Sequence, residues 1–302
     1  MRVYKKEDNF KLPKEITIAK FAGFCYGVKR AVETAKKLKS ENPNRNVYVL
    51  GELIHNSQVI EELNRLGIQT LEELPQKGDG ICIVRTHGQS PEVFEQIKNA
   101  GFEVYDLTCP DVKKVQQKAI ELARNDYYVV IVGKAQHPEV VAIKANAQLY
   151  SKNIIVVQCA NELAAYKNEL EKHKKIGVVV QTTQTISALN EIITALTPLT
   201  KELLVINTIC QSTSMRQNEA IELAKVNDLI IVAGSKKSAN TTHLAQILSN
   251  ITKTIHIETA QELEKYNTEL KGSNKIAITA GASTPQNVID NVIEYIKRKG
   301  EN

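Results

Sequence analysis

The chain contains no tryptophan, and its 302 residues include only 5 phenylalanines and 10 tyrosines. Its 39 lysines and arginines, set against 34 acidic residues, are spread over solvated helix faces and do not gather around aromatic platforms. A nucleic-acid interface combines those two features, so that class has no support here. The net charge of +5 suits an acidic small substrate or an acidic protein partner equally well. No run of 18 apolar residues occurs, which argues against a transmembrane helix. Met1 to Glu15 is charged and has no apolar core, so a secretory signal is not expected. No Cys-x-x-Cys pair occurs either, and the five cysteines are an odd number. The odd count in a chain without an export signal argues against a disulfide framework and for a reducing compartment, the cytoplasm, while the missing Cys-x-x-Cys pair removes the familiar zinc spacing.

What the sequence does contain is one unit written three times. Each copy opens with an apolar strand, then a cysteine, then a helical pattern. Cys25 follows Ile16-Thr17-Ile18, Cys109 follows Val104-Tyr105-Asp106, and Cys210 follows Leu203-Leu204-Val205. A second strand in each copy ends at Gly51, Gly133 or Gly234, and a polar tip follows each glycine. Third strands end in the echoing phrases Thr70-Leu71-Glu72-Glu73-Leu74, Cys159-Ala160-Asn161-Glu162-Leu163 and Thr259-Ala260-Gln261-Glu262-Leu263. The first and last of these have the Thr-x-x-Glu form of a helix capping box. Fourth strands end polar, at Thr86-His87-Gly88, Gln181-Thr182-Thr183 and Gly281-Ala282-Ser283. Four echoes in one order indicate internal triplication.

Short continuous apolar strands alternating with helices predict parallel sheets buried on both faces. The expected architecture is α/β: three pseudo-symmetric domains, each with a small parallel sheet of about four strands. The expected boundaries are 16–108, 109–206 and 207–296, with an N-terminal extension over 1–15 and a C-terminal tail over 297–302. Ligands of such sheets bind beyond the carboxyl ends of the strands, where every polar tip lies. The three sets of tips are therefore expected to line one central cleft.

The cysteines separate by position. Cys82 sits inside the strand Ile81-Cys82-Ile83-Val84 and reads as a small buried hydrophobe. Cys159 takes a position that is threonine in the other copies and reads as structural. Cys25, Cys109 and Cys210 share a strand-end, helix-start position, and Pro110 marks Cys109 as the N-cap of its helix. A helix N-terminus favours the thiolate that binds metal. On position alone an iron–sulfur cluster, a zinc site and plain packing all stay open. Nucleophilic catalysis would need one such cysteine, not three. A cluster can be held by widely separated thiolates. Three of them would leave one iron of a four-iron cluster open to substrate.

The tips supply hydrogen-bond donors. His55, His87 and His137 lie at strand ends, with Ser238, Asn240 and Ser283 at the remaining tips. One such histidine is more often a satisfied structural residue. The set, beside helix N-termini, suits a phosphate or diphosphate. Glu139 is the tip carboxylate best placed for proton transfer. His173, among lysines, reads as solvated, and His243 and His256 read as structural.

Several phrases carry a resemblance: Ala22-Gly23-Phe24-Cys25-Tyr26-Gly27-Val28, Gly51-Glu52-Leu53-Ile54-His55-Asn56, Arg85-Thr86-His87-Gly88, Asp106-Leu107-Thr108-Cys109-Pro110, His137-Pro138-Glu139-Val140, Gln181-Thr182-Thr183, Gly234-Ser235-Lys236-Lys237-Ser238-Ala239-Asn240 and Thr279-Ala280-Gly281-Ala282-Ser283. In these, from about residue 16 to about 295, the chain resembles the 4-hydroxy-3-methylbut-2-enyl diphosphate reductase family of the non-mevalonate isoprenoid pathway. The resemblance implies a trefoil of three α/β domains around one [4Fe-4S] cluster held by Cys25, Cys109 and Cys210. It implies a substrate diphosphate held by His55, His87, His137, Ser238, Asn240 and Ser283, and proton delivery by Glu139 with Thr182 as its hydroxyl partner. The implied reaction is an oxidoreductase's: two single-electron transfers from ferredoxin or flavodoxin, loss of water, and protonation to isopentenyl or dimethylallyl diphosphate. One departure is Ala239, where the family often carries a second serine. Rival readings are a zinc-dependent hydrolase of a phosphorylated substrate, with Glu139 as base, and a non-enzymatic iron–sulfur sensor.

Overall fold

The computed structural model describes residues 15–299; residues 1–14 and 300–302, in the expected N-terminal extension and C-terminal tail, lie outside the described residues. Those described form three sheets of four strands, every pairing parallel. Two compact units divide the chain.

One unit comprises residues 30–54 and 60–210 and contains two of the sheets. Helix α1 (Tyr26–Glu41) leads into it, followed by β2 (Val47–Leu50), α2 (Ser57–Arg65), β3 (Ile68–Leu71), β4 (Ile81–Val84), α3 (Pro91–Asn99) and β5 (Glu103–Asp106); β1 belongs to the other unit. Their sheet runs β3-β2-β4-β5. The second sheet is built from α4 (Pro110–Arg124), β6 (Tyr128–Val132), α5 (Pro138–Gln148), β7 (Ile154–Val157), α6 (Lys167–Leu170), β8 (Lys175–Val180), α7 (Ile186–Leu196) and β9 (Glu202–Val205). Its order is β7-β6-β8-β9. The other unit comprises, of the described residues, 15–29, 55–59 and 211–299. It holds β1 (Glu15–Ile18), α8 (Gln211–Val226), β10 (Leu229–Ala233), α9 (Ala239–Ser249), β11 (Lys253–Ile257), α10 (Asn267–Gly272), β12 (Lys275–Ala280) and α11 (Gln286–Lys299), with sheet order β11-β10-β12-β1.

The α/β class and the parallel sheets are as the strand patterns predict. The period-two alternation of a strand divides each central strand between two apolar layers. Tyr128, Val130 and Val132 enter one core cluster, with Leu189 and Ile192 of α7, while Val129 and Ile131 enter another with α4 and α5 residues. In β10, Leu229, Ile231 and Ala233 divide from Ile230 and Val232 in the same way. Each such Val or Ile contributes roughly 1.5–3 kcal/mol by burial. That is why these strands read as unbroken apolar runs.

The sheets do not follow the repeats one for one. Strand β1, which opens the first repeat, pairs with β12 of the third, from Glu15↔Lys275 to Ile18↔Ile278. Likewise β5 closes the first sheet and β9 the second. Each pre-cysteine strand is therefore an edge strand of the sheet made by the preceding repeat, taken cyclically. One local expectation fails: Thr259 and Glu262 form a capping box, but Thr70 lies in β3 and no helix follows it before β4. His173 is also not solvated as predicted; it is half-buried, its ring 4.7 Å from that of Tyr128. No helix among the described residues is long and apolar enough to cross a membrane.

Candidate active site

Sheet topology places the three cysteines identically. Val84, Val180 and Ala280 end β4, β8 and β12, and two residues beyond them stand Thr86, Thr182 and Ala282. The carbonyls of these residues accept the backbone N–H of Cys109 at 3.0 Å, of Cys210 at 3.1 Å and of Cys25 at 3.1 Å. Each thiol thus leaves the edge strand beside a neighbouring strand tip and opens the next helix. Cys109 is the N-cap of α4 with Pro110 at the first helical position, as predicted. Cys25 Sγ accepts from Val28 N at 3.5 Å at the start of α1. All three are partly exposed, whereas Cys159 is exposed and Cys82 is buried within β4. Burial pushes the Cys82 thiol up to about 11. Soft sulfur donors at helix N-termini, open to a ligand, fit an iron–sulfur cluster; Cys82 does not.

Glu139 is 2 % exposed, in the first turn of α5. Thr182 N donates to its Oε1 at 2.7 Å and Thr182 Oγ1 to its Oε2 at 2.8 Å. Burial pushes the carboxyl up to about 7; the two Thr182 bonds pull it down, and the charge of Asp111 adds to the rise. His137 caps α5, its Nδ1 accepting from Glu139 N at 3.2 Å. An accepting Nδ1 carries no proton, so the neutral ring presents Nε2–H. The ring of His87, three residues beyond β4, meets that of His137 edge-on at 5.4 Å.

In the other unit, Ser238 caps α9 and accepts from Thr241 N at 3.5 Å. Asn240, 7 % exposed, stands two residues after its cap, as Glu139 does after His137. Its counterpart of Thr182 is Ala282, which has no hydroxyl, and Asn240 Oδ1 has no hydrogen-bond partner among the described residues. Ser283 Oγ donates to His55 O at 3.3 Å. Gly234 closes the strand tip at φ +138°, a conformation that glycine accommodates, and its carbonyl is 2.9 Å from His256 Nε2. His256 is therefore structural, as the sequence reading expects. Gly281 lies so close to α9 that a Cβ there would stand 1.8 Å from Thr241 Oγ1.

Sequence reasoning misses several residues of this region. Thr183 occupies the position of His87 and Ser283 relative to its strand, and its Oγ1 accepts from Gln181 Nε2 at 3.1 Å. Aligning the three strand ends would have found it. Arg30 and Arg216 carry no such signal, because each acts on backbone far away in sequence.

A family model described as LytB protein matches residues 16–297. A protein of Geobacter metallireducens named 4-hydroxy-3-methylbut-2-enyl diphosphate reductase is 42% identical over 94% of this chain and 97% of its own length. One of that name from Aquifex aeolicus is 39% identical over 94% of this chain and 96% of its own length. Among solved structures, "Structure of (E)-4-Hydroxy-3-methyl-but-2-enyl Diphosphate Reductase, the Terminal Enzyme of the Non-Mevalonate Pathway" is similar with TM-score 0.69 and 38% identity, covering 94% of this chain and 99% of that one. The E-1-hydroxy-2-methyl-but-2-enyl-4-diphosphate reductase from Plasmodium falciparum is similar with TM-score 0.84 and 28% identity, covering 92% and 86%. The chain belongs to the LytB family.

Proposed function

We propose that this LytB-family chain is an oxidoreductase that converts (E)-4-hydroxy-3-methylbut-2-enyl diphosphate to isopentenyl and dimethylallyl diphosphate. Replacing C–OH by C–H consumes two electrons and two protons and releases water. When bound by Cys25, Cys109 and Cys210, a [4Fe-4S] cluster supplies one-electron chemistry and a Lewis-acidic iron. The electrons come from a ferredoxin- or flavodoxin-type donor, and the thiolates call for a reducing compartment, the cytoplasm.

One observation carries the reading: Thr182 ties a buried acid to Cys210, one of the three cysteines assigned to the cluster. Its N–H and hydroxyl clasp Glu139, and its carbonyl accepts the Cys210 amide. With its carboxyl pushed up to about 7, Glu139 is substantially protonated at neutral pH and able to give a proton. The Thr182 hydroxyl orients that carboxyl and can relay between it and the substrate. His137, with Nδ1 engaged by Glu139 N, offers Nε2–H as a neutral donor. Together with His55, His87, Ser238, Asn240 and Ser283, it is assigned to the diphosphate, beside the helix N-termini that favour negative charge. Ala239 heads α9, where the backbone N–H groups lack intrahelical acceptors, so its amide can stand in for a missing hydroxyl.

Anaerobic turnover of the diphosphate with dithionite and a mediator tests the proposal. Isopentenyl and dimethylallyl diphosphate are the expected products. A brown, iron- and sulfide-loaded protein that forms neither would overturn it, and a colourless zinc protein that hydrolyses the phosphate ester would favour the rival hydrolase.

A further inference from the structure

Two of the cysteine loops are each held by a guanidinium. Arg216, on α8 and 3 % exposed, donates from Nη1 to Phe21 O, from Nη2 to Gly23 O at 3.0 Å and from Nη1 to Ala280 O at 3.1 Å. One turn further along α8, Glu219 accepts from Lys20 N at 2.7 Å and Phe21 N at 2.9 Å. These contacts hold the segment that leads into Cys25. Arg30, on α1, donates from Nη2 to Leu107 O at 3.2 Å and Thr108 O at 2.8 Å, the segment that leads into Cys109. In both loops the carbonyl two residues before the cysteine is an acceptor. The Cys210 loop is held differently: Thr208 Oγ1 donates to Val180 O at 2.5 Å and accepts from Val180 N at 2.8 Å.

These loops have left their strands, so their carbonyls have no ladder partners, and Gly23 sits at φ +94°. A buried guanidinium is costly to desolvate unless its donors are used. Arg216 uses both terminal nitrogens, on the irregular backbone before a thiol and on the end of β12, and the exposed Arg30 uses Nη2 on the equivalent loop. The guanidinium is planar, always charged and presents a rigid fork, so it fixes carbonyls at set separations in a way a flexible ammonium does not. Neither arginine is assigned to substrate.

We propose that Arg216 and Arg30 are positioning residues that set the geometry of Cys25 and Cys109, respectively, as metal ligands. The inference rests on the reading of those cysteines as cluster ligands. Metal-site geometry depends on groups that orient the ligands as well as on the ligands themselves.

The test is a crossover in the metal-free protein under anaerobic, reducing conditions. Alkylation of Cys25 and Cys109 by iodoacetamide is followed site by site by mass spectrometry in Arg216→Met and Arg30→Met. Losing charge-assisted bonds to a loop should raise its opening, and with it the thiol's modification rate, about tenfold or more. Arg216→Met should accelerate Cys25 and spare Cys109; Arg30→Met should do the reverse. Arg216→Lys, which keeps the charge but loses the fork, should fall between wild type and Arg216→Met. Loaded with iron and sulfide, both methionine variants should lose iron in air faster than wild type and shift the EPR signal of the reduced protein. Unchanged thiol rates in folded variants would overturn the proposal. So would equal acceleration of both cysteines with a lowered Tm, the mark of a merely structural role. Should Arg216→Met fail to fold, Arg30→Met and Arg216→Lys decide. A wild type that takes up no iron would instead sink the ligand reading, so the two failures are distinguishable.

Discussion

Thr182 uses both of its donors on one carboxylate, with its N–H 2.7 Å from Glu139 Oε1 and its hydroxyl 2.8 Å from Oε2. Each bond favours the ionised acid, yet burial outweighs them and the carboxyl is pushed up to about 7. The pair is thereby poised to exchange a proton near neutrality.

Activity should fall as pH rises through about 7, because a proton donor must be protonated. Glu139→Gln should keep its iron and bind substrate while turnover drops by about 10²-fold or more. Single-turnover rates against pH check both points. Undiminished turnover would remove Glu139 from the mechanism.

Stability should carry the same signature with a definite sign. The folded carboxyl titrates at about 7 and the free one at 4.5, so the native state binds the proton more tightly. Its contribution is full below about 4.5 and lost as pH rises through 7, at most about 3 kcal/mol in all. Glu139→Gln should abolish that slope. Urea unfolding at pH 5 and pH 8 measures it, and an identical slope in the variant would refute the buried-acid assignment.

Cys109→Ser should lose cluster iron, whereas Cys82→Ser should retain it. Cys82 is 0 % exposed inside β4, with its thiol pushed up to about 11, so it is disfavoured as a thiolate. Iron and sulfide analysis after anaerobic purification separates the two. Equal losses would break the ligand assignment.

Ala239→Ser adds a hydroxyl at the first position of α9. One further hydrogen bond to the diphosphate is worth about 0.5–1.5 kcal/mol net. The expected outcome is a KM lower by about two- to tenfold with kcat little changed, since the contact is made equally in ground and transition states. Unaltered KM would mean that the backbone amide already serves.

Gly281→Ala should destabilise the protein by roughly 2–3 kcal/mol, because its Cβ would overlap Thr241 Oγ1 and force α9 from the strand tip. A thermal melt checks this, and a Tm equal to wild type would show that the tip can yield.

The sequence by itself determined the repeat, the α/β class and the polar strand ends, because these follow from local patterns: apolar runs, capping residues and a proline after Cys109. It also singled out Glu139, although its raised proton affinity comes from burial in the fold and its orientation from Thr182, which lies 43 residues away in sequence. Only tertiary structure decided that β1 crosses to pair with β12, since parallel edge pairing is set by packing and not by any nearby residue. It decided the failed helix cap at Thr70, where the chain needs a turn and not a helix before β4. It also brought Arg216 to the Cys25 loop across 193 residues of sequence, as far as Gly23 O. A guanidinium recognises carbonyls by their spatial arrangement, and backbone carbonyls look the same in every sequence. The cysteines could be read from the chain; what holds two of their loops could not.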